Sequence, residues 1–164
     1  MIAKLLGSPL LFAGICLLHQ ALTSPRKSRI SALSELSQAL SFLSRGVNLR
    51  TPMPQLLTMR GFGAWADGFF AAVYDGAFQK GEMLGNSWKA AVQTLPLCES
   101  EKEELYALGG AFDENAQALE EKLAFCAKVL HTEWKNAQRE QKEKQKTEGP
   151  VVVCCCLLLI ILLV

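Results

Sequence analysis

Few side chains in this sequence have the type and spacing to do chemistry. Cys154, Cys155 and Cys156 sit side by side in the apolar run Val151 to Val164. Successive residues on a helix point about 100° apart, so this triplet cannot converge on one metal ion. No CxxC pair occurs in the sequence, which removes the usual zinc and thioredoxin-type arrangements. Cysteine is readily buried, and the triplet reads as part of a membrane segment, with acylation as the alternative. His19 lies near an apolar boundary, and His131 has lysine rather than a second ligand four residues on. Asp67 and Asp75 could meet in space, but their spacing does not require it. The stretch LGNSWK from Leu84 lacks the glycine spacing that cradles phosphates. The reading assigns no catalytic, cofactor-binding or metal-ligating residue, expects no cofactor and no small-molecule substrate, and places function in a surface rather than in an enzyme's active site.

The most concentrated charge is acidic. Glu99, Glu101, Glu103 and Glu104 precede LYALGG, and Ser100 with Glu103 has capping-box spacing. Carboxylates suit a helix N-terminus electrostatically, so capping and solvation account for them; the functional alternative is a surface for a basic partner. The whole chain has a formal charge of +1, without the basic excess that nucleic-acid binding requires.

Two apolar ends must position whatever lies between them. The first, Leu5 to Leu22, is about 18 residues long, close to the ~20 that cross a bilayer as a helix. Cleavage as a signal peptide is disfavoured by the poor small-residue pattern at Ala21 and Thr23, with Pro25 close behind. Ile15 is too large for a lipoprotein site at Cys16. The reading is therefore a retained anchor over residues 1–23. The tail, 151–164, rises only about 21 Å as a helix against a hydrocarbon core of about 30 Å. It must thin the bilayer, recruit Gly149 and Pro150, or end at the far interface. A GPI signal would also need cleavage at the N-terminal end. Arg26, Lys27 and Arg29 follow the first segment, and Arg139, Lys142, Lys144 and Lys146 precede the tail, whereas Lys4 stands alone on the other side. This asymmetry places the middle region in the cytoplasm.

The middle region reads as helical throughout, so the expected class is all-α: a membrane-anchored helical bundle with an N-terminal transmembrane helix and a C-terminal hydrophobic tail helix. Ser24-Pro25 signals a helix start, and Leu33, Leu36, Leu40, Leu43 and Val47 form a heptad-like seam ending near Gly46 and Asn48. Thr51-Pro52 signals a short helix. Phe62, Trp65, Phe69 and Val73 share one helical face and read as core. Gly76, Gly81 and Gly85 are expected to loosen the next stretch, Asn86-Ser87 to begin a helix containing Trp88, Gly109-Gly110 to break one, and Asp113 to restart another. Leu119, Leu123, Cys126 and Leu130 share the last apolar face. The polar stretch 139–150 reads as a stalk, after a helical domain over 24–138.

The order of these segments resembles the stage III sporulation protein AB family of endospore-forming bacteria. The resemblance is carried by KLLG from Lys4, SALSELSQALSFL from Ser31, TPMPQLL from Thr51, LPLCESEKEELYALG ending at Gly109, DENAQALEEKL from Asp113, and the apolar tail. The turn before Asp113 is shorter than the family commonly has. Asp113 and Gln117 match family positions and, with the acids at 99, 101, 103 and 104, are the candidate partner-surface residues. The family looks like a shortened relative of inner-membrane platform proteins of type II secretion and type IV pilus machines. The resemblance implies a scaffold in the channel complex between mother cell and forespore, in the mother-cell-derived (outer forespore) membrane. Its implied partners are a cytoplasmic secretion-type ATPase, other channel proteins of the same stage and the lipid bilayer. A secreted or lipid-anchored binding module with a processed N-terminus is the alternative reading.

Overall fold

The structure, a computed structural model, describes the backbone of residues 2–113 and 115–163 and the side chains of residues 24–113, 115–144 and 146. The helices are α1 (Ile2–Asn48), α2 (Met53–Thr58), α3 (Ala64–Tyr74), α4 (Leu84–Gln93), α5 (Glu99–Ala111) and α6 (Ala116–Leu163), with a π-helical turn over Asp75–Gln79. No strand occurs among the described residues, so the all-α class holds. The chain forms two compact units, Ser28–Lys135 and a second made of Met1–Lys27 with Asn136–Val164.

In the second unit the described backbone is α-helical. Among the described residues, no helix is long and apolar enough to cross a membrane. The expected anchor over 1–23 and tail over 151–164 lie outside the residues whose side chains are described, as do Cys16, His19 and the tail cysteines. Pro25 lies within α1 rather than at its start. Its ring removes one backbone donor, and the helical bonds on either side carry the element past it.

The Ser28–Lys135 unit is a bundle whose core is built from every helix. The α1 seam is the expected one: Leu33, Leu36, Leu40 and Leu43 are fully buried and Val47 nearly so. Leu56 and Leu57 of α2, Phe69, Phe70 and Val73 of α3, Leu105 and Leu108 of α5, and Leu119, Leu123 and Leu130 of α6 complete it. The aromatic stripe is only half right. Phe69 and Val73 are buried, but Trp65 is half-buried, and Phe62 precedes α3 and stacks between Phe42 and Phe70 at ring separations of 5.3 and 6.3 Å. Ala66 and Phe70 join Phe69 and Val73 on the inward face of α3, which begins only at Ala64, after Phe62.

Trp88 of α4 stands at the middle of this core. It is completely buried, meets Phe69 edge-on at 4.7 Å and Phe112 at 5.0 Å, and donates its indole N–H to the Leu105 carbonyl at 2.8 Å. An indole can be buried without penalty only when its N–H finds such an acceptor. Gly76, in the π-helical turn, and Gly81, at φ +73° in the loop that follows, do interrupt the α-helical run, whereas Gly85 and Gly109 instead allow this packing. Gly85 lies inside α4, and Gly109 and Gly110 lie inside α5. A Cβ on Gly85 would strike the Gly109 carbonyl oxygen, and one on Gly109 would come within 3.1 Å of the Gly85 oxygen. Two backbones touch there, which no larger residue permits.

Three helix starts differ from expectation. α4 begins at Leu84, ahead of Asn86-Ser87. α5 begins at Glu99 with Cys98 as its cap, because the Glu101 carboxylate accepts the Cys98 N–H at 2.8 Å, leaving Ser100 exposed within the helix. α6 starts at Ala116, where Asn115 Oδ1 accepts the Ala118 N–H at 2.8 Å, rather than at Asp113. Gly85→Ala should lower stability by about 1–3 kcal/mol through overpacking. Gly68→Ala, in the middle of α3 with nothing within 4 Å of the added methyl, should raise it by about 0.5–1 kcal/mol. Urea unfolding of the two variants in the same detergent would resolve the opposite signs.

Candidate interaction surface

The four acids near the start of α5 separate by depth. Glu101 is buried, its side chain only 2% exposed, and its carboxylate accepts from two donors of Arg29 of α1, Nη2 to Oε1 at 2.6 Å and Nε shared between Oε1 at 3.1 Å and Oε2 at 3.3 Å. Together with the Cys98 amide, these bonds tie the start of α5 to α1. Glu101 is thus a structural group rather than a partner contact. Glu99 is exposed and pairs with Lys102 at 3.3 Å, and Glu103 and Glu104 are exposed. Asp113 and Gln117 are exposed too, Asp113 in the turn between α5 and α6 and Gln117 in the first turn of α6. The capping and packing roles near them belong to Asn115 and Leu119.

Other carboxylates are engaged by backbone. Glu35 of α1 accepts the N–H groups of Trp65 and Ala66 at 2.7 and 3.3 Å, capping α3 from across the bundle, and Ser31 Oγ at 2.7 Å. Gly63, at φ +130°, runs so close to that carboxylate that a Cβ would collide with it. Asp67 accepts from the Gly61 and Phe62 amides at 2.9 and 3.2 Å, closing the loop before α3, whereas Asp75 pairs with Lys80 at 3.1 Å. The two aspartates therefore have separate structural partners. His131 is exposed with its ring 5.2 Å from that of Trp134. No group of three or more potential metal ligands occurs among the described residues.

Among the described residues, one feature open to a partner is a groove of about 420 Å³ between α5 and α6. Glu104, Ala107 and Leu108 form the α5 wall. Ala118, Glu121, Lys122, Phe125 and Cys126 form the α6 wall. Phe125 is 62% exposed, in contrast to Leu123 and Cys126 beside it, which are buried. Of the candidate partner-surface residues, only Glu104 lines the groove. Phe125 and Glu121 were not anticipated, although an aromatic residue lying off the Leu119, Leu123, Cys126, Leu130 face was a visible signal.

The model of the stage III sporulation protein AB family matches residues 4–164. The chain belongs to that family. Searches of curated proteins and of solved structures returned no significant match. Membership in the stage III sporulation protein AB family assigns the chain a role in stage III sporulation. In this chain the Arg29–Glu101 pair joins α1 to α5 within the Ser28–Lys135 bundle.

Arg29→Met should cost about 3 kcal/mol, because it strands a carboxylate that is 2% exposed. Glu101→Leu should cost less, since the Arg29 side chain is 30% exposed and can turn to water. The double replacement should cost less than the sum, as a urea-unfolding cycle would read.

A second prediction concerns alkali. Burial, with the Glu104 carboxylate as the smaller cause, pushes the Cys126 thiol up from 9.0 to about 12. The folded chain keeps a proton that the unfolded chain releases above pH 9, so stability should fall as pH rises from about 9 to about 12, by at most about 4 kcal/mol. Cys126→Ala should flatten that alkaline limb, as followed by thermal unfolding across the same pH range.

Proposed function

We propose that this member of the stage III sporulation protein AB family is a non-enzymatic membrane platform. In this reading residues 1–23 and 151–164 anchor it in the mother-cell-derived membrane around the forespore. The helical unit faces the mother-cell cytoplasm and docks a secretion-type ATPase, while the apolar ends tie it to the other membrane proteins of the channel. The observation that carries the reading is the arrangement of charge around the two apolar ends. Arg26, Lys27, Arg139, Lys142, Lys144 and Lys146 are exposed beside them, as basic residues on the cytoplasmic side of membrane segments are expected to be. Arg29, counted with them from sequence, is held by Glu101 within the bundle, and the asymmetry survives without it.

Support for a docking role comes from the division of labour among the acids. Glu35, Glu101 and Asp67 are committed to backbone or internal partners, whereas Glu103, Glu104 and Asp113 face outward. A platform needs a stable bundle with an independent outer surface, and these two sets of carboxylates supply the two needs separately.

Topology can be read from a thiol already in place. Cys98 is exposed and Cys126 buried. In cells making the full chain, a membrane-impermeant maleimide should label Cys98 only after permeabilisation, with Cys98→Ser as the control. Labelling of intact cells would reverse the topology and remove the ATPase from reach.

A further inference from the structure

We infer that the groove between α5 and α6 is the docking site for a basic amphipathic helix of a partner protein, which inserts one apolar side chain beside Phe125 and sets lysine or arginine against Glu104 and Glu121. This inference rests on the reading of the helical unit as a docking module and assigns that module its surface and its partner's chemistry.

The groove is apolar at its floor and acidic at its edges. Leu108 and Cys126 are buried beneath it, Ala107 and Ala118 keep the walls low, and the Glu104 and Glu121 carboxylates stand on opposite sides. Within the lining, Glu104 and Glu121 outnumber Lys122. The negative field reaches the floor, since Glu104 helps to hold the proton on Cys126.

A small molecule is a poor match. Small-ligand sites enclose most of the ligand's surface, and a wall residue that is 62% exposed cannot do so. A furrow between two packed helices, with an aromatic side chain standing in it, suits a helix laid along it. The anchor residues on such a helix fall a turn apart, and its basic residues lie within reach of both walls. Phe125 has the character of an interface anchor: large, aromatic, exposed, and next to surface that is already apolar.

The test uses the full chain in a neutral detergent and a defined probe. The probe is an alanine–lysine helical peptide carrying a single photoreactive benzoylphenylalanine, with a glutamate-for-lysine counterpart as control. After irradiation, adducts are mapped by mass spectrometry. Detergent partition is common to all chains, so the comparison between chains isolates the groove. Adducts should concentrate on residues 104–108 and 118–126. They should fall by about tenfold in F125A and in E104Q/E121Q, and on raising salt from about 50 to about 500 mM. These residues are exposed, and circular dichroism should confirm unchanged helix content in both variants.

Adducts scattered over the chain, equal labelling by the acidic peptide, no labelling, or labelling indifferent to the substitutions would overturn the inference. So would a crosslinked dimer of this chain that occupies the groove and excludes the peptide. A parallel co-purification separates this inference from the platform reading. If the secretion-type ATPase binds the wild-type chain and binds F125A and E104Q/E121Q equally, the groove inference fails and the platform reading stands. If the ATPase does not bind the wild-type chain while the peptide labels the groove, the platform reading fails and the groove inference stands.

Discussion

The contact between the backbones of Gly85 and Gly109 sets the spacing of α4 and α5, and the rest of the bundle is arranged around the result. Only at that separation can the Trp88 indole, on the next turn of α4, reach the Leu105 carbonyl while its ring lies between Phe69 and Phe112. A side chain on either glycine would push the helices apart, lengthen that hydrogen bond and leave a buried N–H without an acceptor, which costs more than the bond itself contributes. Phe69 links the same cluster to α3. α4 is therefore positioned by shape and by one obligatory polar contact at once.

Charge performs a complementary task at the edges of this core. Glu35, reaching from α1, caps α3, and Glu101, reaching from α5, meets Arg29 on α1. Both carboxylates satisfy backbone N–H groups at helix starts, where four donors lack intrahelical partners. Asn48 Nδ2 donates to Glu120 Oε1 at 2.7 Å and joins α1 to α6 side chain to side chain. α1 is thereby fastened to three other helices by polar bonds that specify register, while its leucine seam contributes the apolar burial. The groove between α5 and α6 lies outside these fastenings. Its exposed Phe125, Glu104 and Glu121 are free of the burial that constrains their neighbours, so the outer surface can serve recognition without unsettling the core.

The placement of the acids also separates two roles that look identical in composition. At a helix start, any glutamate in the first turn is favoured by the backbone field. Which of them becomes structural depends on what the helix faces. Glu101 points inward, where a guanidinium from a residue far away in sequence waits for it; Glu103 and Glu104 point outward. This rotation brings Glu104 to the groove, where Glu121 of α6 supplies the second carboxylate.

By itself the sequence determined the all-helical class, the α1 leucine seam and the apolar face of α6, because periodic burial is written residue by residue and needs no partner to be read. It also carried the family, through the order of segments along the whole chain. What only the tertiary structure decided were the features that depend on residues distant in the chain. Gly109 and Gly110 weaken a helix locally, and so read as a break, but Gly109 has its purpose opposite Gly85. Glu101 looks like one solvated acid among four until Arg29 is brought to it. Phe125 lies off the apolar face of its own helix and acquires meaning only when α5 supplies the second wall. Periodicity records which side of an element faces inward; pairing, close approach and grooves arise between elements, and their cause is the three-dimensional packing that brings them together.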